Sequence, residues 1–227
     1  MATTALTNSL KQELLFGAHC FAGAVAPTGS ASSASTSVTA VSSMSGVVVG
    51  MNASGTNIAA GSVVASVDST SSFTLSKATT GAIAGGTINL VGDSYKICLI
   101  IGTPSLTYDA TLTNYGTGSG TPTSSNIGTD EVSGTGYTAG GLALTNVSPA
   151  LASGVGYVTF SPDPSWPGSS FSTSAAVVYN TSKKLGGTSG RTVGVFDLGG
   201  VQTVSGGGTF TLVMPTASSS QALIRLA

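Results

Sequence analysis

The side chains able to do chemistry are few, and their spacing decides what they can do. The chain has one histidine, His19, beside Cys20, and a second cysteine, Cys98, far along the sequence. A Ser–His–acid apparatus needs the imidazole as base, an orienting carboxylate and a serine in a tight turn. His19 lies instead at the end of a helical pattern next to a run of small residues, and no G-x-S-x-G turn follows a strand. Its position favours a cap or packing role near a helix C-terminus. A structural zinc site needs four N or S ligands, and the chain has 2 cysteines and 1 histidine. Cys20 and Cys98 form no ligand spacing and no disulfide framework, so they read as buried thiols.

The carboxylates fare no better. Asp130 and Glu131 are adjacent, and in an extended segment neighbours point to opposite sides, which makes them a poor acid–base couple for glycoside cleavage. Asp109, Asp163 and Asp197 sit at turns or strand ends; Asp163, between Pro162 and Pro164, is a turn former. No D-x-D-x-D-G calcium loop is present. Gly134–Ala139 (GTGYTA) matches G-x-G-x-x-A, but no hydrophobic strand precedes it and Gly140-Gly141 follows where a dinucleotide-binding helix should run. It reads as a tight turn into the next strand. Asn52-Ala53-Ser54 and Asn180-Thr181-Ser182 fit the glycosylation sequon, a weak signal in a chain so rich in Ser and Thr. The expectation is a chain with no catalytic residues, no cofactor and no metal.

Composition sets the frame for these absences. Charged residues make up 7% of the 227-residue chain, against roughly 25% in an ordinary soluble domain. Apolar residues are 41%, so a core can form, and disorder driven by charge excess is not the reading. Sparse charge suits a chain whose surface is covered by neighbours in an assembly. A net charge of −1 with scattered cations gives no electrostatic footprint for nucleic acid. No stretch is long and apolar enough for a membrane-spanning helix. Lys11 and Glu13 interrupt the place where a secretion signal would need its apolar core, so export by that route is not expected.

The elements that must carry these residues are mostly strands. Residues 1–22 hold one helix signal: Leu10, Leu14, Leu15 and Phe16 on one face, Lys11, Gln12 and Glu13 on the other. Thr7, Asn8 or Ser9 can cap it and Gly17 can end it. So short a helix must dock on something, either its own sheet or a neighbouring subunit. Residues 23–37 read as a small-residue linker. Residues 38–91 read as an inserted β domain with strands at Val47–Val49, Val63–Val67, Phe73–Leu75 and Thr87–Val91. Its expected core is Val47, Val49, Ile58, Val64, Val67, Phe73, Leu75 and Ile88.

Residues 92–227 form the main domain. Tyr95–Ile101 is the strongest strand, apolar enough to be buried on both faces for part of its length. Residues 107–128 look like a long surface excursion carrying Tyr108 and Tyr115. Further strands are expected at Leu142–Val147, Tyr157–Phe160, Ala175–Tyr179, Thr192–Phe196, Thr209–Met214 and Leu223–Leu226. The Pro-rich segment 161–168, Gly186-Gly187 and Gly206–Gly208 separate them. Trp166, within 161–168, either plugs the end of the sandwich or marks an interface. Short strands, Gly/Pro turns and no crossover helices predict an all-β fold, an antiparallel sandwich or jelly roll with one short N-terminal helix.

Several phrases resemble small virion proteins of tailed bacteriophages. They are NSLKQELLFGAHCF near the start, DSYKICLI at 93–100 and DEVSGTGYTAGGLALTNVSP at 130–149. DPSWPGSSFSTSAAVVYN at 163–180, RTVGVFDLGG at 191–200 and GTFTLVMPTASSSQALIRLA at 208–227 continue the likeness. It covers residues 1–22 and 93–227 and contains no catalytic signature. Within that group the chain is most similar to capsid cement or decoration proteins, and 38–91 resembles β modules of phage fibres and bacterial surface proteins. The resemblance implies a structural, non-enzymatic role in the virion, assembled in the bacterial cytoplasm. The implied partners are the major capsid protein and further copies of the chain, as a dimer or trimer, with no nucleic acid or membrane. A tail or fibre component that binds the host surface is the alternative. The residues expected to make such contacts are Leu10, Leu14, Phe16, Tyr108, Tyr115 and Trp166.

Overall fold

The computed structural model describes residues 1–116, 126–182 and 190–227. The chain divides into two compact units. One comprises Met1–His19, Ser94–Thr145 and Leu151–Ala227, the other Cys20–Asp93 with Asn146–Ala150. In chain order the elements begin with β1 (Ala5–Leu6) and α1 (Asn8–Leu15). There follow β2 (Thr28–Ala31), β3 (Ser37–Val38), β4 (Asn52–Ser54), β5 (Ser62–Ser69), β6 (Ser72–Leu75), β7 (Ile83–Thr87) and β8 (Asn89–Val91). The remainder are β9 (Tyr95–Ile101), β10 (Leu142–Leu144), β11 (Ala150–Ala152), β12 (Val155–Val158), β13 (Ser165–Asn180), β14 (Arg191–Thr211) and β15 (Ile224–Leu226). The fold is all-β, with α1 as the one helix among the described residues. That helix is far too short to cross a membrane.

In the first unit the main sheet has the order β1-β14-β13-β9-β10, with each neighbouring pair of strands antiparallel. β9 is buried on both faces, as its continuous apolar run requires. Because side chains alternate, Cys98 and Ile100 pack with Tyr108, Leu112, Ile127, Val177 and Val195 on one side, while Tyr95, Ile97 and Leu99 face the other. The excursion at 107–128 is therefore not all surface. Tyr108, Leu112 and Ile127 from its described parts are core residues, and its residues 117–125 lie outside the described residues, as does Gly186-Gly187. β13 and β14 run on beyond β9, since β9 pairs only with Thr173–Asn180 whereas β14 pairs as far as Ser165. Thr192–Phe196 and Thr209–Met214, expected as separate strands, are not separate: the first lies within this single long strand and the second only as far as Thr211, where the strand ends. Glycine pairs at 199–200 and 206–207, all at positive φ, fall where its register slips.

The second unit has a five-stranded sheet, β3-β6-β5-β4-β8, and a β2-β7 pair. Val38, Val64, Phe73, Leu75, Ile88 and Leu90 centre its core. Several expectations change here. The segment 23–37 is no bare linker, because β2 and the start of β3 lie in it. Its small residues serve close packing: a Cβ on Gly29 would come within 2.9 Å of Val38 Cγ1. Val47–Val49 forms no strand, because Gly46 and Gly50 at φ +77° and +90° turn the chain at both ends of it. Val47 is buried, Val49 and Val67 are exposed, and Ile58 packs at the margin of the core.

The helix forms where expected, with Thr7 as its cap accepting from the Leu10 N–H and Gly17 beyond its end at φ +64°. Its buried face is another matter. Ser9, Leu10 and Glu13 point inward, while Leu15 is 88% and Phe16 63% exposed. A charged side chain displaces the leucine stripe from the interior because ionic partners await it there.

Candidate functional site

Adjacent residues of a strand face opposite sides, and at one end of the main sheet this places two polar clusters back to back. Asn180 pairs with Tyr95 and Arg191 across the sheet; one step along, Tyr179 pairs with Lys96 and Thr192. The first row faces a cluster around Glu13, the second a cluster around Glu131.

In the first cluster Glu13 Oε2 lies 2.7 Å from His19 Nε2, and Nε and Nη2 of Arg191 converge on Oε1. Arg191 Nη1 also donates to Asn114 Oδ1 at 3.1 Å. The ring of His19 stacks near Tyr95, and its Nδ1 lies 3.0 Å from Asn180 Nδ2. Side-chain exposure is 1% for both Glu13 and His19 and 22% for Arg191, so this is an interior ion pair with one solvated end. Breaking such a pair strands a charge, which costs far more than the pair contributes against an apolar substitute.

In the second cluster Glu131 accepts from the hydroxyls of Tyr115 and Tyr137 and from the Gly140 N–H, each at 2.7 Å. Tyr179 donates to the Gly140 carbonyl at 2.7 Å and stacks on Tyr115 with centroids 4.1 Å apart. Tyr137 in turn accepts from the Leu99 N–H and stacks on Trp166. Burial first, with the Glu131 carboxylate adding to it, pushes the Tyr115, Tyr137 and Tyr179 hydroxyls well above the ordinary phenol range. Burial, with Glu131 adding to it, also raises the Cys98 thiol, whose Sγ contacts the Val177 carbonyl. Cys98 is thereby kept as a thiol, the inert form.

Asp130 and Glu131 turn to different partners. Asp130 Oδ2 accepts from the N–H groups of Ser105 and Leu106 and from Tyr108, whose hydroxyl is pushed up by burial and then by this carboxylate. Asp163 accepts from the Met214 N–H, and Asp109 from Thr111, which draws its carboxyl below the usual range. The Gly134–Ala139 segment leads through a turn into β10 with no helix after it. Gly141 closes that turn at φ +64°, where a Cβ would stand 1.9 Å from the Ile97 carbonyl oxygen. Among the described residues no three His, Cys, Asp or Glu side chains are grouped to hold a metal ion. Asn180 of the second sequon is buried in the first cluster.

Of the residues expected to make contacts, Leu10, Tyr108 and Trp166 are interior, at 0%, 0% and 2% exposure. Trp166 lies on β13, with Phe210 beside it, and so fills the interior as a plug does. Leu14 and Tyr115 are half-buried, and Phe16 alone is well exposed. The Glu13–His19–Arg191 cluster was not foreseen. A histidine six positions after a glutamate across a helix end is its only local trace, and Arg191 has none. Two surface grooves lie away from both clusters. One of about 540 Å³ is lined by Gly55, Asn57, Ile83 and Thr87, the other of about 410 Å³ by Leu6, Val155, Leu223 and Arg225.

No protein-family model matches the chain, and no curated protein and no solved structure matches it significantly.

Proposed function

We propose that the chain is a non-enzymatic structural subunit of a bacteriophage virion, a cement or decoration protein that stabilises the shell by bridging major capsid subunits. The observation that carries this reading is a charge-poor exterior bearing large apolar side chains. Leu15, Val213, Leu151 and Phe16 are 88%, 76%, 75% and 63% exposed in a chain with 7% charged residues. Scattered exposed apolar residues are ordinary on a highly charged surface; on a surface this neutral they favour burial against another protein. The carboxylates support the same reading, since the buried Glu13 and Asp130 and the half-buried Glu131 are each committed to internal partners. The phage assignment itself rests on the sequence phrases that resemble virion proteins.

The energetics of cementing suit such a surface. An interface of about 800 Å² per partner is an ordinary stable size. Repetition over a closed shell makes modest single contacts effectively permanent. Beyond Val195 the outer edge of β14 has no strand beside it among the described residues, and its uncharged stretches between the glycine bulges are open to short backbone pairing. Copies of the chain, as a dimer or trimer, are the second expected partner. The test is stoichiometry in purified particles. Copy number in proportion to the major shell protein is expected; a few tens of copies or fewer would replace the cement reading with a tail or fibre role.

A further inference from the structure

The groove of about 540 Å³ in the second unit is a closed cup rather than a channel. Its long wall is β7 with the first residue of β8, and its short wall is the loop that follows β4. Contacts between these walls shut both ends. At one end Gly55 lies against β7, where a Cβ would stand 2.9 Å from the Thr87 carbonyl oxygen. At the other, Asn57 Nδ2 donates to the Ala82 carbonyl at 2.8 Å, and the Thr80 N–H donates to the Asn57 carbonyl at 2.9 Å. An extended peptide therefore has no path through the cup as an added strand, and the occupant that fits is compact.

The chemistry of the lining narrows that occupant further. No ionisable side chain lines the cup, so nothing in it offsets the desolvation of an ion. The side chains of Thr56, Thr87 and Asn89 are in exposed residues of the walls and make no hydrogen bond among the described residues. Asn57 uses its Nδ2 on Ala82, which leaves Oδ1 as an acceptor. Together these groups offer hydroxyls and an amide that both donate and accept. A purely apolar ligand would leave them unpaired, at a cost in affinity. Ile83, buried on β7, and the exposed Ala84 add a small apolar surface. We infer that this cup binds a neutral saccharide unit. Sugar hydroxyls donate and accept, as the Thr and Asn side chains require, and the C–H face of the ring suits Ile83 and Ala84. The volume lies within the ~300–1,000 Å³ of small-molecule sites. No aromatic ring lines the cup to stack on the sugar, so the affinity is weak, with a Kd of about 1–10 mM. The cup belongs wholly to the second unit, so the inference stands apart from the cementing role.

Amide NMR on the 15N-labelled full chain tests it. The probes are glucose, galactose and N-acetylglucosamine, each to about 100 mM, with glucuronate as the charged comparator. At least one neutral sugar is expected to shift the amides of Thr56, Asn57, Thr87 and Asn89 to saturation, and glucuronate to bind about fivefold more weakly or less. Ala84→Phe fills the cup from an exposed position and should abolish the shifts. Asn89→Leu should weaken binding about fivefold, the loss of one hydrogen bond. Spectra unchanged away from the cup check that both variants fold. The proposal is overturned by no saturable shift with any of the three neutral sugars, or by glucuronate binding as tightly as they do. It is equally overturned by shifts that persist in folded Ala84→Phe, or by undiminished binding in Asn89→Leu.

Discussion

Replacing Glu131 by alanine should cost the first unit about 3–5 kcal/mol, and replacing it by glutamine about 1–2 kcal/mol. Glu131 accepts from Tyr115, Tyr137 and Gly140, and a hydrogen bond to a charged acceptor is worth about 1.5–3 kcal/mol. Three such bonds set an upper bound that partial exposure of the carboxylate reduces. Alanine leaves two phenol hydroxyls and one backbone N–H to find water. Glutamine keeps an oxygen near Tyr137 and Gly140, and only the bond from Tyr115 must reverse, with its hydroxyl accepting instead. Trp166 is the only tryptophan and stacks on Tyr137 at 6.2 Å, so its fluorescence reports this unit during urea unfolding. The native emission should also change in the alanine variant, because Tyr137 loses the shorter of the two hydrogen bonds that hold its hydroxyl. An alanine variant that loses less than about 1 kcal/mol, or one no worse than glutamine, would refute the argument that this carboxylate anchors the tyrosines.

Two further outcomes follow from the same geometry. The hydroxyls of Tyr108, Tyr115, Tyr137 and Tyr179 are raised by burial, so the folded state holds those protons more tightly than the unfolded one. Their contribution to stability is present below the ordinary phenol value of about 10 and is lost as pH rises above it. Ultraviolet titration should show these phenols ionising only together with unfolding; free ionisation near pH 10 in the folded protein would contradict the burial. Gly141→Ala should destabilise the first unit by more than about 2 kcal/mol, since alanine at positive φ is strained and its Cβ has no room beside Ile97. Chemical denaturation checks this, and a change within about 0.5 kcal/mol would show that the turn can relax.

Much of the fold was legible in local pattern. The mostly apolar run Tyr95–Ile101 became β9 with the same bounds, because a segment this rich in isoleucine and bounded by Ser94 and Gly102 favours a strand. The Thr7 cap and Gly17 stop bracket α1 for equally local reasons. Legibility failed where small residues were involved. TGSA at 28–31 looks like linker composition, yet it is a strand whose glycine admits Val38. The valines at 47–49 look like a strand, yet the flanking glycines turn them away.

The sequence by itself determined the fold class, the helix ends and the scarcity of charged residues. Those follow from short-range sterics and from counting residue types. The tertiary structure alone decided what the few ionisable groups do. The helix signal assigned Leu14, Leu15 and Phe16 to the inward face and Glu13 to the outward one, but Arg191, remote in the chain, reaches that carboxylate from β14. A buried ion pair forms only where two elements distant in the chain, here α1 and β14, bring its members together, and no periodicity records that meeting. The same holds for Glu131, whose tyrosine partners come from separate loops that converge only once the sheet has formed.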